Sequence, residues 1–495
     1  MKKKRALYMT IIMSMALLLC SCGASENGAG STKQDVEGYS SSDASDGESS
    51  ETAGDSSDVY TDTAASEAGS EDVAYKKASD GEAAEEKVTL NNKADMAEAF
   101  EGEEETDIDT ICPSDDEQER VEKVGLLTAG EWCDNENWGF YRNLFSNGSS
   151  YESYKDGWDM QMTNRIKVTV GHDGTPLPGA KVLLQDKEGK TLWQAVSDYK
   201  GVAYLFYNVN ADTDVPVQVT IDVDGRKETK KLTQKKQEAA GDDAVDGQGR
   251  ESEKGKNPQF EDVEYMNFGK LVKYAKDPDA WFTNAPLDLM FVVDTTGSMS
   301  DEITYLQMEL KDVVGRVQQK HTKSSIKLST NFYRDEGDEY VVNAHPFTDD
   351  IRKVTKWVNE EYANGGGDYP EAVHTALENA VDEHEWREES VKLLFLVLDA
   401  PPHSGDAVSE SLYKSIKKMA AKGIRVIPVA SSGVDKDTEF ICRKFSVATG
   451  GTYTFLTDDS GIGGHHIEPT TGDYEVEKLN DLLVKIINRY LTAGK

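Results

Sequence analysis

The sequence Leu287-Asp-Leu-Met-Phe-Val-Val-Asp-Thr-Thr-Gly-Ser-Met299 determines most of what can be inferred about this 495-residue chain. An apolar run of strand length leads directly into a short polar turn. The turn presents the oxygen-bearing side chains of Asp294, Thr296 and Ser298 at alternate positions. Because Mg²⁺ takes about six oxygen ligands at ~2.0–2.1 Å, the turn supplies half of such a shell. We therefore expect a divalent-cation site where a buried strand ends.

From about Ala285 the sequence alternates between apolar strand patterns and helix patterns. This alternation predicts a doubly wound α/β fold, with a mostly parallel sheet covered by helices on both faces. Continuous apolar runs such as Leu393–Leu398 indicate strands buried on both faces. A short polar turn before Tyr340 predicts a hairpin and an antiparallel edge strand. The predicted strands are Leu287–Val293, Ile326–Phe332, Tyr340–Ala344, Lys392–Leu398, Ile424–Val429 and Thr452–Phe455, and the predicted helices are Asp301–Gln319, Asp350–Tyr362, Tyr369–Glu383, Val408–Ala421, Asp435–Val447 and Val476–Leu491.

Three loops follow predicted strands and carry oxygen ligands. The first loop begins at Asp294, the second loop is 364–371 with Asp368, and the third loop is 398–403 with Asp399. Open α/β sheets bind ligands outside the carboxyl ends of their strands. We therefore expect the three loops to lie together and to share one cation.

The first loop and Asp399 resemble the metal-ion-dependent adhesion site of von Willebrand factor A domains. The resemblance spans roughly Leu287 to Leu491 and implies five ligand side chains from three loops. It implies that Asp294, Thr296, Ser298 and Asp399 bind one Mg²⁺ or Mn²⁺. The segments Arg334-Asp-Glu-Gly-Asp338 and Gly366-Gly-Asp-Tyr-Pro-Glu371 are similar to a bacterial branch of this family.

The second loop departs from the better-known family pattern. Where integrin-like members place a threonine, this chain has a glycine run and then Asp368. Asp368 is either the fifth ligand or the N-cap of a helix that starts at Tyr369-Pro370. As a ligand, it would bring three carboxylates to one cation, which would tighten the metal and weaken its pull on a partner's carboxylate.

Short alternating strands separated by turns occupy residues 165–268 and predict a small all-β sandwich. The segments Gly174–Val182 and Ser197–Ala203 resemble the carboxypeptidase-regulatory-like family, in which the module is a spacer or binding platform. The polar stretch 233–258 is predicted to be a flexible insertion before a last strand at Phe260–Met266. Residues 121–164 are rich in aromatic side chains and are predicted to be a docking segment, whose Asp and Asn residues either touch a metal or partner or serve turns and caps.

The N-terminal residues resemble a bacterial lipoprotein signal peptide, predicted at 1–22. A basic run, Lys2–Arg5, precedes a short apolar segment at Leu7–Leu19. Cys22 follows a small residue, whereas Cys20 follows Leu19, so Cys22 is the expected lipidation site. The alternative is an ordinary signal peptide. We expect a lipid-anchored protein on the extracytoplasmic face of the cell membrane.

Acidic residues dominate the chain, whose formal net charge is −37. Residues 23–110 hold 25 Asp and Glu against 5 Lys, with few large apolar side chains. Such a segment cannot offset its ordering entropy, so residues 23–120 are predicted to be a disordered tether. The charge argues against nucleic acid as a partner, because phosphates are bound by Lys and Arg. The pairing of Cys112 with Cys133 stays open.

Taken together, these features favour a binding protein without enzymatic activity. Its cation would capture a protein or peptide ligand through an acidic group. The alternatives are a metal-dependent hydrolase, with His403, His465 or His466 as the base, and a structural envelope component that uses the metal as a staple. His403 is the foremost base because it lies next to Asp399, whereas His465 and His466 are expected to be exposed.

Overall fold

The computed structural model describes residues 125–210, 214–235, 258–267 and 285–492. The predicted signal peptide, the acidic tether, Cys22 and Cys112 lie outside these residues. Among the helices in the described ranges, none combines the length and the apolar character needed to cross a lipid bilayer.

The first half of the described chain is mainly β-structure. The strands are β1 (Thr128–Trp132), β2 (Arg165–His172), β3 (Thr175–Pro176), β4 (Lys181–Gln185), β5 (Thr191–Val196), β6 (Val202–Phe206), β7 (Gln218–Val223), β8 (Arg226–Lys231) and β9 (Val263–Asn267). The helix α1 (Trp138–Leu144) and a 3₁₀ segment at Glu152–Asp159 lie between β1 and β2.

The second half alternates strands and helices, as the sequence predicts. The strands are β10 (Leu287–Asp294), β11 (Ile326–Tyr333), β12 (Val342–Ala344), β13 (Val391–Leu398), β14 (Ile424–Ala430), β15 (Tyr453–Leu456) and β16 (Glu477–Lys478). The helices are α2 (Ser300–Lys320), α3 (Ile351–Glu360), α4 (Val373–Asp382), α5 (Asp406–Lys422), α6 (Lys436–Thr449) and α7 (Leu479–Leu491).

One eight-stranded sheet organises this half, in the order β12-β11-β10-β13-β14-β15-β1-β16. The strands β11, β10, β13, β14 and β15 run parallel, which confirms the predicted fold class. The edge strand β12 pairs antiparallel with β11, also as predicted. Because β11 lies on one side of β10 and β13 on the other, the strand order reverses at β10, which is where open α/β sheets bind their ligands in a crevice.

The central strands β10 and β13 are buried along nearly their whole length. Their apolar side chains pack on both faces of the sheet, and the rings of Phe291 and Phe395 stack at 5.6 Å between centroids. The parallel register pairs Val293 with Val397. The carboxyl ends of the two strands therefore coincide, and the first and third loops emerge side by side.

Two four-stranded sheets precede the large sheet. In one, β2 pairs with β3, β6 and β9, and the other has the order β5-β4-β7-β8. Trp193 of β5 and Phe206 of β6 meet edge to face at 5.4 Å, so the two sheets share apolar contacts. The resemblance of this region to the carboxypeptidase-regulatory-like family stays a prediction.

The aromatic-rich segment does more than pack against a surface, because its strand β1 lies within the large sheet. The strand pairs antiparallel with β15 on one side and β16 on the other. Gly125, just before β1, donates its N–H to the buried carboxylate of Glu309 on α2 at 2.7 Å. Arg489 of α7 binds both carboxylate oxygens of Glu131 at 2.5 and 2.7 Å. These contacts tie β1 to two helices of the α/β region.

Candidate metal centre

The first loop brings its three predicted ligand residues together. Asp294 ends β10 with 0% of its surface exposed. Its Oδ1 accepts hydrogen bonds from the backbone N–H of Thr296 at 2.9 Å and from the Thr296 hydroxyl at 2.7 Å. The hydroxyl oxygens of Thr296 and Ser298 are 3.1 Å apart. The short turn thus holds one carboxylate and two hydroxyls in a fixed group.

Asp399 joins this group from the third loop. It directly follows β13, and only 3% of its surface is exposed. The Ser298 hydroxyl is close enough to Asp399 to oppose the rise of its pKa, so the first and third loops meet through predicted ligands. The four residues that the family resemblance implies as ligands are therefore brought together.

The second loop packs on the first through its glycines. The N–H of Asn364 donates to the carbonyl of Thr295 at 2.9 Å, and the N–H of Gly297 donates to the carbonyl of Gly365 at 3.1 Å. At Gly366, where φ is +73°, an added Cβ would lie 3.0 Å from Glu371 Oε1 and 3.3 Å from the Thr296 Cβ. The glycine run therefore leaves the space in which Glu371 approaches the first loop.

Glu371, rather than Asp368, is the buried carboxylate of the second loop. Glu371 is 3% exposed and its N–H donates to the carbonyl of Pro401, which also fixes the second loop against the third. Asp368 is exposed. The helix after it begins at Val373 instead of the predicted Tyr369, with Ala372 as its N-cap, so Asp368 does not cap this helix.

Each of the three buried carboxylates keeps one oxygen without a hydrogen-bond partner. These oxygens are Asp294 Oδ2, Glu371 Oε2 and Asp399 Oδ1. A buried carboxylate oxygen without a donor costs free energy, more so beside other negative charges. A divalent cation is the kind of group that removes this cost, because it pairs with the charges and accepts the free lone pairs. The residues present therefore fit a metal.

The pKa values of these carboxyls reflect the same arrangement. Burial, followed by the charges of Asp294, Asp335 and Asp399, raises the pKa of Glu371 to about 9. Burial and the charge of Asp399 also raise the pKa of Asp294, although the hydrogen bonds from Thr296 oppose the shift. Burial raises the pKa of Asp399, while the Ser298 hydroxyl opposes it. In each case, burial and the neighbouring carboxylates favour the protonated form of the carboxyl group.

Two hydroxyl groups lie beside the buried carboxylates. In the described part of the chain, no three His, Cys, Asp or Glu side chains form a ready metal-binding cluster. Thr296 and Ser298 supply the additional oxygens between Asp294 and Asp399.

Comparison with known proteins identifies the region that carries these loops. Residues 288–467 match the family model of the von Willebrand factor A domain. This region is a von Willebrand factor A domain. Over 188 residues, the chain is 26% identical to a putative ariadne-like RING finger protein of Acanthamoeba polyphaga mimivirus, covering 35% of this chain and 18% of that protein. Over 118 residues, it is 27% identical to an alpha-protein kinase of Dictyostelium discoideum, covering 24% and 19%.

The chain spans less than a fifth of the length of these two relatives. Among solved structures, it is similar to the conserved hypothetical protein BatB from Bacteroides thetaiotaomicron, with 12% identity and a TM-score of 0.29. That match covers 41% of this chain and 98% of BatB. The family match concerns residues 288–467.

His403, the foremost candidate base, is held by two contacts at the rim of the A domain. Its Nε2 lies 2.6 Å from Asp335 Oδ1. Its backbone carbonyl accepts a hydrogen bond from the indole N–H of Trp158 at 3.1 Å. The Asp335 N–H donates to Asp338, which also accepts from the N–H of Gly366. These bonds link the third loop to the second loop and to the aromatic-rich segment.

The two adjacent histidines of the A domain differ, although the sequence predicts that both are exposed. The side chain of His465 is 83% exposed, as expected. That of His466 is only 4% exposed, so the prediction for His466 is wrong. His466 is buried because it lies between carboxylates of two different elements, Glu302 and Asp458.

Sequence reasoning missed Glu371 as a residue of the site. A usable signal was present, because Glu371 closes the glycine-rich motif and is followed by the apolar pair Ala372-Val373. That apolar pair is fully buried at the start of α4, and Glu371 beside it is buried as well.

Proposed function

We propose that this chain is a surface-anchored binding protein whose A domain captures a protein or peptide ligand through a divalent cation. The observation that supports the proposal is the set of three unpartnered, buried carboxylate oxygens beside two hydroxyls. The proposed ligands of one Mg²⁺ or Mn²⁺ are Asp294, Thr296, Ser298, Asp399 and Glu371.

The residues of this site have distinct tasks in the proposal. The N–H and hydroxyl of Thr296 fix one oxygen of Asp294, so that the other oxygen stays oriented toward the crevice. Ser298 lies beside Asp399 and favours its charged form. A bound divalent cation supplies the positive charge that attracts an acidic group of the partner. Glu371 adds a third carboxylate. This strengthens metal binding but leaves the cation less positive charge with which to attract an acidic partner.

Asp368 remains a candidate ligand from the sequence. Its exposure and its position outside the buried group favour Glu371 instead. The exposed Asp368 then lies at the rim of the crevice, where it would face a partner rather than the metal.

The metal is tested by titration calorimetry with Mn²⁺ on wild type, Asp294→Ala and Asp399→Ala. We expect both substitutions to abolish binding while the circular dichroism spectrum is retained, because the sheet core supplies the stability. A matched control is Asp349→Ala, an exposed carboxylate next to Thr348, which pairs with Leu328 near the start of β11. Equal Mn²⁺ affinity in all four proteins would contradict the proposed site.

Ligand capture is tested with the same four proteins immobilised and exposed to surface extracts in Mg²⁺ or in EDTA. The proposal expects a partner that is retained by wild type and Asp349→Ala only with Mg²⁺, and by neither of the other variants. A partner retained equally in EDTA would argue against capture through the cation and for a structural metal.

A metal-dependent hydrolase is the second candidate, favoured by the short contact between His403 and Asp335 beside the metal loops. In a hydrolase, the carboxylate orients the imidazole as a general base. His403→Ala distinguishes the two functions, because it would abolish hydrolysis of a retained partner but leave its Mg²⁺-dependent capture in place.

Anchoring through Cys22 is part of the proposal and rests on the sequence alone. Metabolic labelling with a radioactive fatty acid should mark wild type and lose its signal in Cys22→Ala, with Cys20→Ala as the control. Unchanged labelling of Cys22→Ala would contradict the lipid anchor.

A further inference from the structure

A buried histidine bridges two carboxylates next to the proposed metal centre. His466 Nδ1 lies 2.8 Å from Asp458 Oδ1, and its Nε2 lies 3.3 Å from Glu302 Oε1. The backbone N–H of His466 also donates to Asp458 at 2.9 Å. With both ring nitrogens facing carboxylates, the protonated imidazole satisfies both contacts, whereas the neutral ring has only one N–H to donate.

Glu302 connects this histidine to the metal loops. It lies near the start of α2, directly after the first loop, and is 1% exposed. Its Oε1 also accepts a hydrogen bond from the N–H of Ser432 at 3.0 Å, whereas its Oε2 is buried without a partner. The charge of Glu302 acts on Asp399, whose pKa it helps to raise. Glu302 is therefore a further buried carboxylate, and its charge acts on one proposed ligand, Asp399.

The loop that carries His466 is shaped around Glu302. An added Cβ at Gly463 would lie 2.5 Å from Glu302 Oε1, so only glycine lets the loop approach so closely. Gly463 also has a φ of +82°, which disfavours other residues. The contact between His466 and Glu302 thus depends on Gly463, which lets the loop come close to Glu302, as well as on the imidazole of His466.

We propose that Glu302 and His466 are positioning residues that couple the cation affinity of the metal centre to the protonation of His466. This inference rests on the proposed function. Neither residue touches the cation. When His466 is protonated, it neutralises Glu302 and reduces the negative potential at Asp399. When His466 loses its proton, Glu302 acts at full charge, and the cation binds more tightly.

The charged groups that face His466 favour its protonated form. Glu302 comes from α2, Asp458 comes from the 3₁₀ turn after β15, and His465 lies on the other oxygen of Asp458 at 2.8 Å. Burial lowers the pKa of His466, but the hydrogen bonds and charges of Glu302 and Asp458 outweigh it and raise the pKa above its usual value. By linkage, a cation that binds more tightly to the neutral-His466 form must in turn lower the pKa of His466.

The test combines calorimetry and NMR on the full chain. Mg²⁺ affinity is measured between pH 6 and pH 8.5 for wild type, His466→Gln and Glu302→Gln, with the neighbouring His465→Gln as the matched control. Relative to His466→Gln, the affinity of wild type should rise by roughly fivefold across this range, the lower end of typical coupling between sites. His465→Gln should behave like wild type. Glu302→Gln should bind Mg²⁺ more weakly at pH 8.5 and lose the extra pH dependence.

NMR of histidines labelled at Cε1 gives a readout that does not depend on ligand capture. In the metal-free protein, Glu302→Gln should lower the pKa of His466, and in wild type, saturating Mg²⁺ should lower it by an amount that matches the calorimetric factor. An equal pH dependence in wild type and His466→Gln, or a His466 titration unmoved by Mg²⁺, would overturn the coupling alone. Absence of Mg²⁺ binding by wild type would contradict the proposed function and this coupling together.

Discussion

Two aspartates at opposite ends of strand β10 show how differently the fold treats a buried carboxylate. Asp288 and Asp294 are both 0% exposed. Asp288 Oδ1 accepts from the Arg387 guanidinium at 2.7 Å, and its Oδ2 accepts from the Arg387 N–H at 2.8 Å and the Ser390 hydroxyl at 2.6 Å. Asp294 has two donors on Oδ1, both from Thr296, and no partner on Oδ2.

The difference indicates a structural role for Asp288 and a functional role for Asp294, although both lie on the same strand. Asp288 has a cation of its own in Arg387, so its charge is compensated within the fold. Asp294 faces further carboxylates instead, and the fold supplies no basic side chain to it among its hydrogen-bond partners. An uncompensated buried charge lowers the stability of the fold, so it persists only where the surrounding structure provides enough stability. We therefore interpret the Asp294 end as the part prepared for an external cation.

The largest expected effect is on stability and comes from replacing each aspartate with its isosteric amide. Asp288→Asn should lower the free energy of unfolding of the metal-free protein by about 3 kcal/mol, the low end for a broken buried ion pair, because the Arg387 side chain is 24% exposed. Asp294→Asn should leave it unchanged or raise it, since it removes an uncompensated charge. Urea unfolding in EDTA measures both. Equal losses would show that Asp294 is structural as well.

The next effect concerns Glu371, which extends the comparison to a second loop. Glu371→Gln should weaken Mn²⁺ binding by about tenfold or more and should raise the free energy of unfolding of the metal-free protein, because it relieves repulsion with Asp294 and Asp399. Calorimetry and urea unfolding at pH 8 test the two parts. Asp349→Ala is again the control. A Glu371→Gln protein with wild-type affinity would place Glu371 outside the metal shell.

The comparison also shows what sequence could and could not predict. Apolar runs define β10 and β13 because a strand buried on both faces has no polar alternation. The ligand spacing in the first loop is local, so Asp294, Thr296 and Ser298 were found together. The place of β1 between β15 and β16 was not predictable, because its partners lie more than 300 residues away and leave no local pattern. The burial of Glu371 depends on the same kind of distant packing.

A smaller effect is the pH dependence of the metal-free protein. The pKa of Glu371 in the folded chain is about 9, above its ordinary value of 4.5. Its contribution to stability is therefore fully present below about pH 4.5 and is lost as the pH rises through about 9. The raised pKa values of Asp294 and Asp399 act in the same direction.

Thermal unfolding between pH 5 and pH 9 tests this dependence. In EDTA, wild type should lose stability more steeply with rising pH than Glu371→Gln does. Saturating Mg²⁺ should reduce the difference, because the cation compensates the ionised carboxylates and binds best when they have lost their protons. Parallel pH profiles of the two proteins in EDTA would contradict the charge repulsion inferred for the site.

The smallest expected effect belongs to Asp368, the predicted carboxylate ligand that lies exposed. If Asp368 ligates the cation, Asp368→Thr exchanges a carboxylate for a hydroxyl, which would weaken Mn²⁺ binding and strengthen capture of an acidic partner. Because Glu371 already provides a buried carboxylate from the same loop, we expect the Mn²⁺ affinity to stay at the wild-type value. Asp368 caps no helix here, so thermal stability should change by only a few tenths of a kcal/mol, as is usual for an exposed site. Calorimetry and thermal unfolding of this variant beside Glu371→Gln decide which carboxylate of the second loop completes the shell, because loss of a ligand should weaken Mn²⁺ binding much more than loss of a nearby exposed charge.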